Sequence, residues 1–263
     1  MHIIPLHAAN PGPFTGDGNW TYLIPGDSPV LVDAGVGNPS HLDALAAAAA
    51  AGPAHVLVTH AHSDHAAGVP AIGRRWPRAR FSKFPWPGED REVAAGWNAI
   101  DEGATVMTGA GRLDVLHTPG HSPDHITLWH ADSRTIFVGD LMQLGSSVFI
   151  PASKGGSLAD YLHSLRRILA LAPARALPAH GPAIEDPAAL IAHYLEHRHK
   201  REVQVLNALE AGRASVEAIT ARLYTGVTAE VLPLARESVL AHLQKLAHDG
   251  LARRDGESWS VVR

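Results

Sequence analysis

The sequence predicts a mixed α/β region over residues 1–186, followed by a small helical module that closes in a hairpin over residues 187–263. Three observations carry this. Short apolar runs rich in β-branched residues alternate with helix-patterned stretches between Trp20 and Pro182, the pattern of strand–helix–strand units. Metal-ligand residue types stand at the ends of several of those runs. Beyond Glu185-Asp186-Pro187 the apolar residues recur at steps of three and four, which is helical spacing.

Composition narrows the function classes. The 263 residues suffice for one large domain, or a large and a small one. Hydrophobic residues make up 46%, enough for an ordinary globular core. The net charge of −4 gives no global attraction to nucleic acid or to an acidic membrane. Cysteine is absent, so disulfides and thiolate sites are excluded and any metal must rest on His and carboxylates. Met1 to His7 lacks a basic stretch leading into a long apolar core, and the alanines at 46–51 are too few to span a bilayer. The expectation is a cytoplasmic protein with no membrane segment.

In chain order, Trp20–Ile24 and Val30–Asp33 read as a hairpin across Pro25-Gly26-Asp27-Ser28. Asp33 ends the second strand as either a polar turn residue or something more. Asn38-Pro39 starts a helix that runs through His41, Leu42 and Leu45 into the alanines and stops at Gly52-Pro53. His55–Val58 is a buried strand. Arg74, Arg75, Arg78 and Arg80 read as a solvated face, with a substrate-phosphate contact as the alternative. Phe81–Pro87 reads as a Pro-rich aromatic loop able to overhang a pocket, and Trp97 as core. Strands follow at Leu113–Leu116, His125–Trp129 and Thr135–Val138. Ser157 caps a helix whose apolar face is Leu158, Leu162, Leu165, Ile168 and Leu169. Ala176 to Pro182 is a short strand ending in His180.

The stretch Thr59-His60-Ala61-His62-Ser63-Asp64-His65 packs four metal-competent side chains into six residues after a strand. Such donors suit Zn, Fe(II) or Mn. In an extended loop, residues two apart point the same way, so His60 and His62 can hold one ion while Asp64 and His65 reach a second. His121, Asp140 and His180 appear at the ends of other apolar runs, where loops supply chemistry and strands supply position. Asp140 is the natural carboxylate to bridge two ions. His125 has two readings, a substrate contact that donates a proton or a structural hydrogen bond, and Asp64 is also placed to orient a nucleophile.

This set, His60-x-His62-x-Asp64-His65 with His121, Asp140 and His180, resembles the metallo-β-lactamase superfamily. The resemblance implies an αββα sandwich with the site at one edge. It implies that His60, His62 and His121 hold the first metal, that Asp64, His65 and His180 hold the second, and that Asp140 bridges them. It also makes Asp33 a support for the ligands. The expected cofactors are two divalent ions, zinc foremost, with iron or manganese as alternatives. Thr118–His125, Gly139-Asp140-Leu141 and Pro178–Pro182 look like the lactamase-beta-two branch, whose mitochondrial member is a single-strand endoribonuclease. Hydroxyacylglutathione hydrolase (glyoxalase II) shares the same metal pattern.

The tail fits that branch. Helices carrying Ile191 to Leu209, Ser215 to Leu223 and Val239 to Leu246 precede a Leu251–Val262 hairpin, which together resemble a winged helix. Ten Lys and Arg against nine Asp and Glu from residue 187 onward give it a net of only +1, far less basic than a dedicated duplex binder. A pocket lid or a homodimer contact are equal readings. His193, His197 and His199 read as helix surface or pocket rim. The expected activity is metal-dependent hydrolysis, in which paired ions activate water against an ester, thioester or phosphodiester. The substrate is then single-stranded RNA, which the near full-length resemblance to the lactamase-beta-two branch favours, or a small-molecule ester or thioester as for glyoxalase II. A nucleic-acid-binding regulator with a vestigial site is the third reading, which the intact ligand set opposes.

Overall fold

The computed structural model describes residues 1–93 and 96–262. They form two compact units. The first unit comprises residues 1–118, 124–146 and 171–187, and the second comprises 119–123, 147–170 and 188–263.

The first unit is built on two sheets. One runs in the order β1 (Ile4–His7), β2 (Trp20–Ile24), β3 (Val30–Val32), β4 (His55–Leu57), β5 (Arg80–Lys83), β6 (Trp97–Ala99). Its first three strands are antiparallel neighbours and β3 to β6 run parallel. The other sheet runs in the order β11 (Arg175–Pro178), β10 (Thr135–Gly139), β9 (Ile126–His130), β8 (Gly111–His117), β7 (Thr105–Thr108), with β10 and β11 parallel. Alternation decides how they pack. Tyr22, Ile24, Val30, Val32 and Leu57 point from the first sheet into a core shared with Leu113, Val115, Leu128 and Phe137 of the second. The opposite residues, Leu23, Leu31 and Val56, face Leu42 and Leu45 of α1 (Pro39–Ala48) and Val69 and Ile72 of α3 (Val69–Arg75). A strand buried on both faces has no polar alternation, which is why β9 and β10 read as continuous apolar runs.

Local chemistry explains the helix start. The Asn38 side chain accepts from the Ser40 amide at 3.1 Å and Pro39 occupies the first turn. The helix ends at Ala48, short of the expected stop at Gly52. One further expectation changes. Phe81–Pro87 is not all loop, because its first residues belong to β5 in the middle of a parallel sheet. Lys83 there is buried and ion-paired to Asp124 at 3.0 Å and to Asp90, so a charge sits where the strand pattern called for an apolar residue. Phe84 stacks on His117 with ring centroids 3.9 Å apart and packs against the inter-sheet core. Strand β1 and the edge strands β6 and β7 carry too little apolar pattern to stand out in the sequence. The four arginines are exposed, and Arg75 pairs with Asp43 at 2.7 Å, which fits a solvated face.

The second unit holds α4 (Leu158–Ala170), α5 (Pro187–Glu210), α6 (Val216–Leu223), α7 (Leu232–His248) and a three-stranded sheet in the order β12 (Ala214–Ser215), β14 (Ser258–Val261), β13 (Ala252–Asp255). Ser215 caps α6 by accepting from the Ala218 amide at 3.2 Å. Val205, Leu209, Ile219, Val239, Leu243 and Trp259 form its core. The hairpin turns between the paired residues Asp255 and Ser258, with Gly256 supplying a φ of +61°. No helix among the described residues is long and apolar enough to cross a membrane.

One buried histidine sets an acid limit on stability. His41 is fully buried with Nε2 2.8 Å from the Thr21 hydroxyl, and burial followed by the nearby His7 depresses its pKa from 6.5 to about 4. The unfolded chain therefore takes up a proton that the folded chain refuses, and stability falls as pH drops from about 6.5 toward about 4. Between about pH 7 and about pH 4.5, His41→Gln is expected to lose about 2–3 kcal/mol less stability than the parent, read from urea unfolding at both pH values. An unchanged pH dependence in the variant would refute the assignment.

Candidate metal centre

Every candidate ligand of the first unit sits where a strand stops. Asp33 follows β3, residues 59–65 follow β4, Asp140 follows β10 and His180 follows β11. Parallel neighbours end on the same side of a sheet, so β3 with β4, and β10 with β11, present their tips together. Three hydrogen-bonded contacts fasten the two sheets at that edge. The Trp20 amide donates to the Ala179 carbonyl at 2.8 Å, Asn19 and His180 form an antiparallel bridge, and the Tyr22 hydroxyl donates to the Pro178 carbonyl at 2.6 Å.

The loop expected at 59–65 folds partly into a short helix, α2 (Ser63–Ala66), which carries Asp64 and His65 round the bend while His60 and His62 stay in the extended part. The result is two overlapping clusters. Asp64, His65, Asp140 and His180 each offer a ligand atom within 4.8 Å of the others, and His60 and His62 meet the same limit with Asp140. His60 Nε2 faces His62 Nδ1 at 2.9 Å and the Asp140 carboxylate at 3.9 Å. Asp140 belongs to both clusters.

His65 is the most constrained of these. It is fully buried, and its Nδ1 donates to Asp33 Oδ2 at 2.8 Å. That bond fixes the ring and aims Nε2 at Asp140 Oδ1, 3.3 Å away, and Asp64 Oδ2, 3.4 Å away. His180 Nε2 meets the same two carboxylates at 3.3 and 3.2 Å. Ring nitrogens facing ionised carboxylates at that range call for positive charge between them, carried by a proton on the imidazole or by a bound cation. Burial opposes protonation of His65, yet Asp64, Asp140 and Asp33 together carry its pKa well above 6.5. His180 behaves alike, with burial outweighed by Asp140 and Asp64, and its pKa rises to about 9. Burial would raise the Asp64 and Asp140 carboxyls, but the adjacent imidazoles hold both well below the usual range. Nitrogen and ionised carboxylate donors converging this closely fit borderline divalent ions.

Asp33 does more than end a strand. Its Oδ1 accepts from the Thr59 amide at 2.8 Å, and its Oδ2 accepts from the Thr59 hydroxyl at 3.1 Å as well as from His65. Its backbone takes a φ of +63°, which Asp tolerates better than most residues. The contacts of His125 show the hydrogen bonding that its structural reading expects. It is fully buried, with Nδ1 2.9 Å from the Thr118 hydroxyl and Nε2 accepting from the Asp140 amide at 3.2 Å. Both ring nitrogens are engaged within the protein, and the second contact bears on the backbone of Asp140. Gly139 lets that contact form, since a Cβ there would lie 2.8 Å from His125 Nε2 and 2.9 Å from the Thr59 hydroxyl. His121 lies in the segment Pro119–Pro123 of the second unit, where Nδ1 donates to the Phe149 carbonyl at 2.7 Å. Sequence reasoning missed Asn19, whose side chain donates to the Asp64 carbonyl at 2.9 Å, and Thr59, for which adjacency to His60 was the available signal.

Residues 14–180 match the family described as the metallo-beta-lactamase superfamily, and residues 215–259 match the beta-lactamase associated winged helix domain. The Caenorhabditis elegans beta-lactamase-like protein 2 homolog is 32% identical over 250 residues, covering 92% of this chain and 83% of that protein. An atrochrysone carboxyl ACP thioesterase of Aspergillus chevalieri is 30% identical over 260 residues, covering 94% and 81% respectively. The crystal structure of a metallo-beta-lactamase family protein from Thermus thermophilus superposes with a TM-score of 0.81 at 20% identity, covering 99% of this chain and 98% of that one. The fold is thus a mixed α/β metallo-β-lactamase fold with a C-terminal winged helix.

Asp33→Asn keeps the shape and the tolerance of positive φ but removes the charge that His65 and Thr59 lean on. Metal affinity is expected to fall about 10–100-fold, measured by competition with a chromogenic chelator. Parent-like affinity would show that Asp33 is a turn residue and no more.

Proposed function

The chain belongs to the metallo-β-lactamase superfamily, and from that membership we propose that it is a dinuclear metal-dependent hydrolase of acyl thioesters or esters. The observation that carries this is the pair of ligand clusters sharing Asp140. In this reading His60, His62 and His121 hold one ion, Asp64, His65 and His180 hold the other, and Asp140 serves both. Zinc is the first expectation, with iron or manganese accepted by the same donors. When bound, the ions lower the pKa of water toward neutrality and offset charge on the electrophilic oxygen.

The chain's own residues supply the positioning. Asp33 holds the His65 ring through Nδ1, and Thr59 locks Asp33 in turn. His125 fixes the backbone at Asp140. Asp64, whose carboxyl the adjacent His65 and His180 hold below the usual range, is also placed to orient the attacking water through a hydrogen bond.

Support for thioester or ester substrates comes from the near full-length likeness to an acyl-carrier thioesterase and from the weak charge of the tail. Single-stranded RNA is the second reading, favoured by the winged-helix match and by the likeness to the beta-lactamase-like protein 2 homologs. Parallel assays on an acyl thioester and a single-stranded RNA decide between them. The metal-stripped protein is expected to be inactive and to regain thioester hydrolysis with added zinc. Asp140→Ala should lose more than about a hundredfold of that rate, beyond what loss of a supporting residue costs. RNA cleavage sensitive to the same variant, without thioester turnover, would select the second reading. Full activity with one metal per chain would refute the dinuclear centre.

A further inference from the structure

A cavity of about 230 Å³ lies within the second unit, and none of the proposed metal ligands lines it. His197, Arg198 and Arg201 of α5, Tyr224 after α6, Ser238 of α7 and Ser147 contribute to its wall. The charge balance there is unusual. Arg198 is only 5% exposed, yet its partners are neutral: it donates to the Val148 carbonyl and lies over the Tyr161 ring at 5.5 Å. Arg201 lies over the Tyr224 ring at 4.5 Å. Among the described residues neither guanidinium has a carboxylate within ion-pair distance. A cation–π contact is worth up to about 2 kcal/mol, whereas burying an uncompensated charge costs several.

Polar groups without full partners point the same way. His197 Nδ1 is buried with no hydrogen-bond partner. Ser238 Oγ accepts from the Tyr224 hydroxyl at 3.0 Å, which leaves its own proton to donate. His242, fully buried nearby, is depressed to about 3, first by burial and then by Arg198 and Arg201, with His197 and Lys245 adding to the same positive field.

We propose that this cavity is a binding site for a phosphate group, clamped by Arg198 and Arg201 with His197 and Ser238 as further donors. Guanidinium forks one helical turn apart on α5, with a hydroxyl from α7, reach an anion from more than one direction, which suits tetrahedral oxygens better than a planar carboxylate. The volume equals roughly eight waters of liquid, enough for phosphate with a small substituent. Val231 and Leu234 give that substituent an apolar wall. The same wall includes Phe149, whose carbonyl holds His121 Nδ1, so the bound anion and the His121 ring share one short stretch of backbone.

Titration calorimetry in a chloride buffer tests this, with inorganic phosphate as one probe and dimethyl phosphate as the other. The parent and Asp140→Ala are both used, since the latter weakens any phosphate binding at the metal ligands. The expected result is saturable phosphate binding that survives Asp140→Ala and weakens by about tenfold or more in Arg201→Gln. Ser238→Ala, a nearly isosteric change, should weaken it by a smaller factor and guards against a folding defect in the arginine variant. Dimethyl phosphate binding alongside would assign a phosphodiester ligand, and binding of inorganic phosphate alone a terminal phosphate. No saturable binding, binding abolished by Asp140→Ala, or parent-like affinity in Arg201→Gln would each overturn the proposal.

Discussion

Three carboxylates, Asp33, Asp64 and Asp140, converge on the one buried imidazole of His65. Much of the edge is arranged to make that convergence tolerable. Negative charge in a low-dielectric setting is costly unless something positive answers it. Here the answer is divided. The Nδ1 proton meets Asp33 on the inner side, and the outer nitrogen shares its surroundings with His180 and two ionised carboxylates. Asp33 and Thr59 are therefore as much a part of the centre as the ligands that would touch an ion.

The sheets make this convergence possible by bringing strand ends together from far apart in sequence. Asp33, Asp64, Asp140 and His180 come from separate βα or ββ connections, and no local propensity joins them. What joins them is the parallel pairing of β3 with β4 and β10 with β11, and the bonds from Trp20 and Tyr22 to Ala179 and Pro178 across the sheet edges. A ligand set assembled this way is rigid because each donor is backed by a buried strand, and moving one donor means disturbing a core.

The sequence exposes the ligands because the chemistry is written locally: His60 to His65 are crowded within one loop, and His121, Asp140 and His180 each close an apolar run. It exposes the tail helices for the same reason, since Val239, Leu243 and Leu246 repeat at helical spacing and all reach the core. What it hides depends on partners distant in the chain. Nothing near Asn19 announces that its amide holds the Asp64 backbone. His125 looks like a further chemical histidine until its two bonds, to Thr118 and to the Asp140 amide, are seen. Strand β5 is disguised by Lys83, whose charge breaks the apolar pattern and is answered only by Asp90 and Asp124 on later segments.

The lack of cysteine has a consequence for how such a centre would be filled. An all-nitrogen-and-oxygen donor set has no thiolate to be oxidised and none to favour soft ions. Selectivity among zinc, iron and manganese would then rest on local supply more than on the protein, because these donors accept all three. The metal found in a purified sample would report the growth medium as much as the gene.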